Sequence, residues 1–157
     1  MKGLIIKDGK FGKSVYASKT FKKGQKIFDF SGPILLRSEL PENITTPEDD
    51  RFIQVGKDLF IGPSGEIDDL VNHSCEPNAA VMIKDKRATL FSTKDIQAGD
   101  EITYDYSLHM NNEQWTMKCK CGSRKCRHII REYKYLPQSL KDYYLKLGFV
   151  PDYNLGL

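Results

Sequence analysis

Three thiols fall within eight residues in Cys119-Lys120-Cys121-Gly122-Ser123-Arg124-Lys125-Cys126, and the sequence holds one further cysteine, Cys75. Thiolates spaced this way suit a tetrahedral zinc ion, and Gly122 lets the chain fold back so that all three can face one centre. Three ligands leave a structural zinc one short, so the simplest inventory recruits Cys75 and ties that residue to the C-terminal segment. Such a site carries a formal charge of about −2. The neighbouring Lys118, Lys120, Arg124, Lys125 and Arg127 would offset it and lower the thiol pKa values. Two other readings remain open here: four unrelated thiols, and a basic patch for nucleic acid. A second polar run, Asn72-His73-Ser74-Cys75-Glu76-Pro77-Asn78, lies between Leu70-Val71 and the apolar run Ala79–Ile83. Its Asn and His side chains can hold a polar ligand or an irregular loop, and Pro77 fixes the exit. Taken alone, His73 reads as a satisfied structural imidazole.

In chain order, Asn72–Asn78, Gly99–Tyr106 and Cys119–Cys126 resemble three segments of the SET-domain protein lysine methyltransferases that carry a post-SET zinc motif. Those segments are N-H-S-C-x-P-N, then G-D/E-E-L/I-T-Y/F-D-Y, then C-x-C-x4-C. The resemblance runs from about Lys10 to Arg127 and takes in Ile27-Phe28-Asp29-Phe30-Ser31-Gly32, similar to the family's apolar strand ending in Gly. It implies a mainly β SET fold of short strands and hairpins, with a C-terminal pseudoknot in which the Asp-Tyr segment passes beneath the Asn-His segment, and a post-SET zinc segment. The cofactor it implies is S-adenosyl-L-methionine, and the product methylated lysine. Position by position, Asn72 and His73 match cofactor-binding residues. Phe11-Gly12-Lys13-Ser14 match the segment that wraps the cofactor's methionine part, and Lys120 a position bordering the adenine. Tyr106 matches the catalytic tyrosine that also meets the cofactor, and Cys75, Cys119, Cys121 and Cys126 match the zinc ligands. Trp115, the single Trp, is a candidate lid over the adenine, or an ordinary core residue.

Methyl transfer from a sulfonium to an amine is an in-line displacement, so the nitrogen must be neutral and aimed. An apolar channel and a nearby cation both disfavour an ammonium, so binding itself promotes proton loss. Tyr104 stands where the family carries Phe or Tyr. A hydroxyl there holds a water or the amine and leaves less room for methyl groups, which predicts mainly monomethylation. Three positions depart from the family pattern. Ser14 replaces a glycine whose backbone shape it must adopt, Phe30 replaces a channel tyrosine, and Asp69-Leu70-Val71 replaces Arg-Phe-Ile. The expected substrate is a lysine-bearing protein or peptide, a histone or another basic protein, with the acidic Glu48-Asp49-Asp50 suited to a basic peptide. A direct nucleic-acid ligand is not expected. The alternative class is a zinc-containing binding module for nucleic acid or basic protein on an inactive SET scaffold.

The elements that must hold these residues are short. Val15–Ala17 and Ile27–Phe30 flank Lys22-Lys23-Gly24, and Pro33–Leu36 reads as extended. Phe52–Val55 faces Leu59–Ile61 across Gly56-Lys57-Asp58, and Ala79–Ile83 faces Ala88–Ser92 across Lys84-Asp85-Lys86-Arg87. Lys19–Ile27 and Lys94–Ile102 share a turn pattern, and Leu40–Asp50 reads as a surface loop. A short C-terminal helix begins at Pro137, gathers Leu140, Tyr143, Tyr144 and Leu147 on one face and stops at Gly148. The organisation expected is a SET domain over 1–110, a post-SET segment over 111–128 and a tail over 129–157.

The 157 residues suit one core. A formal charge of +3, from 24 basic and 21 acidic residues, is too mild to demand nucleic acid. No apolar run approaches the ~18–20 residues of a membrane span, and Leu4-Ile5-Ile6 is too short for the apolar part of a secretory signal. A cytoplasmic or nuclear setting is expected, with a small chain resembling free-standing members of the family.

Overall fold

The computed structural model describes residues 1–10, 12–41, 51–111 and 115–157. Phe11 and most of the expected Leu40–Asp50 loop, with its acidic residues, lie outside the described residues. The chain opens with an antiparallel hairpin, β1 (Leu4–Gly9) and β2 (Gly12–Ala17). Sequence reasoning finds only the second strand, because β1 exposes Ile5 and Ile6 and so lacks a buried alternating face. β3 (Lys26–Asp29) does not fold back on β2; it pairs with a strand more than 60 residues later in the chain.

That partner is β9 (Arg87–Ser92), which lies between β3 and β8 (Ala79–Lys84). The β8–β9 register runs to Lys84 opposite Arg87, so the expected four-residue turn contracts to Asp85-Lys86. Both central residues adopt left-handed conformations, with φ of 50° and 60°, as a two-residue hairpin turn of the primed type requires. A second three-stranded sheet contains β4 (Ile34–Leu36), β5 (Ile53–Gly56) and β6 (Leu59–Ile61), with β6 central. Gly32, entering β4, has φ +118°, and an added Cβ would lie 2.9 Å from the Gly62 Cα. Two backbones therefore cross there, which accounts for the glycine that ends the Ile27–Gly32 run.

The two similar turns find each other. Phe21 and Ile96, at equivalent places in them, form a mutual bridge. The Gly24 amide donates to the Ser92 carbonyl and the Gly99 amide to the Ala17 carbonyl, while the side chains of Gln25 and Asp100 accept from the Lys22 and Gln97 amides. The sequence echo is thus a local two-fold arrangement, which fastens β2 and β3 to the segment that leads into Tyr104.

β7 (Asn72–His73) and β10 (Thr103–Tyr104) pair in parallel, Asn72 opposite Thr103 and His73 opposite Tyr104. The Asn78 amide closes the crossing: its Nδ2 donates to the Glu101 carbonyl at 2.8 Å and its Oδ1 accepts from the Thr103 amide at 3.0 Å. The Asp-Tyr segment therefore runs against the Asn-His loop, as a pseudoknot demands. β11 (Met117–Lys118) and β12 (Ile129–Ile130) pair antiparallel and bracket the cysteine segment. α1 (Gln138–Lys146) follows Pro137 and ends before Gly148, whose φ is +73°. Tyr144 is buried with Leu140 and Leu147 packed beside it, whereas Tyr143 is exposed, so the apolar face is narrower than its spacing suggests. A last short helix, α2 (Asp152–Leu155), follows Pro151, and its Tyr153 donates its hydroxyl to the Gln54 carbonyl at 2.9 Å. The main core gathers Val15, Phe21, Val81, Leu90, Ile96 and Ile102 between the sheets. No helix among the described residues is long and apolar enough to cross a membrane.

Candidate active site

Two cavities meet beside the β7–β10 crossing. The wide one, about 620 Å³, is walled by Gly12, Lys13, Asn72, His73 and Lys120, with Leu70 and Met117 supplying apolar surface. The narrow one, about 40 Å³, is walled by Phe30, Tyr104, His109 and Trp115. Tyr106, Arg51 and Asp69 line both, so the phenol of residue 106 stands at the junction. The aromatic rings are packed edge to face or tilted: Phe30 to Tyr104 at 6.0 Å and Tyr104 to Tyr106 at 4.8 Å between centroids.

Backbone and buried charge both hold Tyr106 in place. Its hydroxyl donates to the Val71 carbonyl at 2.8 Å, and its amide donates to His73 Nδ1 at 3.2 Å. The preceding Asp105 is fully buried and receives two bonds from the Arg127 guanidinium, at 2.7 and 2.6 Å. Asp105 also caps the following turn by accepting from the Ser107 amide at 3.1 Å. A bidentate, charge-assisted pair offsets the cost of burying the carboxylate. Burial brings the pKa of His73 down to about 4, against the pull of Asp105, so the imidazole is neutral near pH 7. With Nδ1 accepting from Tyr106, its Nε2 carries the proton and faces Cys75 Sγ at 3.4 Å.

The four cysteine sulfurs lie within 4.8 Å of one another, and Cys75 Sγ is 3.8 Å from Cys119 Sγ. A tetrahedral zinc with bonds of about 2.3 Å sets its sulfurs about 3.8 Å apart, so the donor set and the spacing fit that ion. Burial alone pushes the thiols of Cys75 and Cys119 up, so holding them as thiolates calls for a cation at their centre. Backbone amides contribute as well: Arg127 donates to Cys75 Sγ at 3.3 Å and Cys121 to Cys119 Sγ at 3.5 Å. Arg127 thus touches the thiolate centre with its amide and Asp105 with its side chain.

Two of the sequence-derived positions lie elsewhere than expected. Ser14 does not line the wide cavity; it is fully buried, and its Oγ accepts from Asn72 Nδ2 at 2.6 Å. Nor does it need a glycine-like backbone, since among the described non-glycine residues only Asp85, Lys86 and His128 have positive φ. Room for the serine comes from Gly9, where an added Cβ would sit 2.2 Å from Ser14 Oγ. Trp115 belongs to the wall of the narrow cavity and is packed with Cys75, Cys119 and Ile130, not to the wide cavity where a lid would lie. Asp69, at the departure from Arg-Phe-Ile, accepts from the Ser64 and Gly65 amides and so stabilises the 3-10 turn that leads to Asn72. Sequence reasoning passes over Arg51 and His109, and it does not foresee the ion pair between Asp105 and Arg127. Only Asp105, inside the Asp-Tyr motif, and Arg127, beside Cys126, carry a positional signal.

The fold and the crossing define a SET domain, and the SET-domain family model matches residues 12–107, more than half of the chain. The chain belongs to the SET-domain family. It is similar to the variant-silencing SET domain-containing protein of Plasmodium falciparum, 29% identical over 82% of this chain and 6% of that protein. It is likewise similar to the histone-lysine N-methyltransferase trithorax of Drosophila virilis, 30% identical over 76% of this chain and 3% of that protein. The chain therefore spans a small part of the length of these relatives. Among solved structures, KRYPTONITE in complex with mCHH DNA, an H3(1-15) peptide and SAH shares the fold, with a TM-score of 0.67. The match is 22% identical and covers 82% of this chain and 29% of that one.

Proposed function

We propose that this chain is an S-adenosyl-L-methionine-dependent protein-lysine N-methyltransferase that places mainly a single methyl group on its substrate. The observation that carries the reading is Tyr106 at the junction of a wide polar-walled cavity with a narrow aromatic one. The wide cavity has the size of a small-molecule site. Gly12, Lys13, Asn72, His73 and Lys120 are the residues to hold the cofactor, with Phe11 and Ser14 completing that segment of the chain. At Gly12, whose φ is +97°, nothing lies within 4 Å of where a Cβ would be, which leaves the backbone open to a ligand. When bound, the cofactor supplies an electrophilic methyl group on a sulfonium.

The chain's own residues do the rest. Phe30, Tyr104 and Tyr106 give the narrow cavity an aromatic wall where a lysine would enter, and that apolar surface disfavours the charged form, so the amine arrives neutral. Tyr106, fixed by the Val71 carbonyl and the His73 ring, orients the reacting groups at the junction. Cys75, Cys119, Cys121 and Cys126 hold zinc and keep the wall carrying Lys120 against the wide cavity. A histone substrate is favoured by the trithorax likeness and by the H3 peptide bound to KRYPTONITE.

Incubation with labelled S-adenosyl-L-methionine and mixed basic proteins, histones among them, tests the assignment. Wild type should label protein, and Tyr106→Phe should lose roughly a hundredfold or more of turnover, the scale of losing one preorganised hydrogen-bonding group in a site. Equal labelling by both would remove the catalytic assignment of Tyr106, and no labelling by either would leave a zinc-containing binding module on a SET scaffold.

A further inference from the structure

His109 ends the 3-10 turn that begins at Tyr106. It is 2% exposed and lines the narrow cavity, with its ring 6.2 Å from that of Tyr104. Neither ring nitrogen makes a hydrogen bond of normal geometry among the described residues. The indole Nε1 of Trp115, on the same cavity, is equally buried and equally without a hydrogen bond. A buried polar group left unpaired costs about 1–3 kcal/mol, and native proteins rarely leave one so. Two on the wall of a single small cavity point to a polar occupant. Burial brings the pKa of His109 down to about 3, against the charge of Asp105, so the ring is neutral and offers one donor and one acceptor. The neutral ring carries its proton on one nitrogen and a lone pair on the other. That nitrogen needs an O–H or N–H, and the indole N–H needs an acceptor. Water satisfies both, whereas the hydrocarbon stem of a lysine satisfies neither. The cavity's volume of about 40 Å³ exceeds the roughly 10–15 Å³ that a water needs.

We infer that His109 is a specificity-determining residue, holding an ordered water with Trp115 in the narrow cavity beside Tyr104 and so denying that space to further methyl groups. This rests on the methyltransferase reading above. Removing the polar anchor frees the water to leave, and a methylated amine can then turn into the vacated space for another cycle.

The test is mass spectrometry of histones methylated by wild type, His109→Phe and His109→Gln, compared at equal total turnover so that a slow variant does not imitate a change of outcome. His109→Phe should raise the ratio of di- to monomethyllysine at least severalfold, while His109→Gln, which keeps a donor and an acceptor, should stay nearer wild type. A merely structural histidine would slow turnover and leave the ratio alone, and an unchanged ratio in a folded His109→Phe overturns the inference. Should that variant fail to fold, Trp115→Phe must shift the ratio in the same direction, and a wild-type ratio there overturns it equally. An inactive wild type would overturn the methyltransferase reading and this inference together, whereas an active wild type with invariant ratios removes only the role of His109.

Discussion

Tyr104 and Tyr106 lie two residues apart on one short segment, yet their surroundings give them different chemistry. Tyr106 reaches both cavities and its hydroxyl bonds the Val71 carbonyl, while Tyr104 belongs to the narrow cavity, packed against Phe30 and within ring contact of His109. The hydroxyl of Tyr104 is the group expected to restrict the amine. Tyr104→Phe should therefore raise the share of di- and trimethyllysine with modest loss of turnover, read by mass spectrometry of the product. A persistently monomethylated product would remove that role. Phe30 works in the opposite sense, since a phenyl ring at that place adds apolar wall without a hydrogen-bonding group.

At the scale of elements, the crossing of β7 and β10 is only two residues long on each side, so side chains must hold it. Asn78 spans it, and Arg127 ties Asp105 to the cysteine segment. Arg127→Met should lower the stability to unfolding by about 3 kcal/mol, because it strands the buried Asp105 carboxylate without its partner. Denaturant titration measures this, and a loss under about 1 kcal/mol would show the pair to be of the weak surface kind. The β8–β9 turn offers the reverse case. Lys86 sits at φ 60° in an exposed position, a conformation that glycine adopts without strain. Lys86→Gly should stabilise the protein by about 1 kcal/mol, seen as a melting temperature higher by roughly 2–4 °C.

Among the described residues, three clusters share the work of the fold: the main β core, the C-terminal cluster around Tyr144 and Phe149, and the small one joining Trp115 and Ile130 to Cys75 and Cys119. The third is too small to hold its segment by apolar burial alone, so a zinc ion held by the four thiolates would supply much of its stability. Purified protein should carry one zinc per chain by elemental analysis. Removing it with a chelator should lower the melting temperature and expose the 115–130 segment to protease before the β core. Chelation without effect on either would refute the four-thiolate centre.

The parts legible in the amino-acid sequence are those whose signal is local. The three thiols within one short run, the Asn-His and Asp-Tyr segments, the Ala79–Ser92 hairpin and the C-terminal helix with Pro before and Gly after it all depend on residues close together in the chain. Even the recruitment of Cys75 needed only a count of ligands. The tertiary structure alone decided which strands pair, since β3 joins β9 and β7 joins β10 across long stretches of chain that no periodicity reports. It also decided that Ser14 faces Asn72, that Trp115 and His109 share the narrow cavity, and that Arg127 reaches Asp105. Burial and the filling of hydrogen-bond capacity by distant partners fix those roles, and both are properties of the packed chain, not of any one residue's neighbours in sequence.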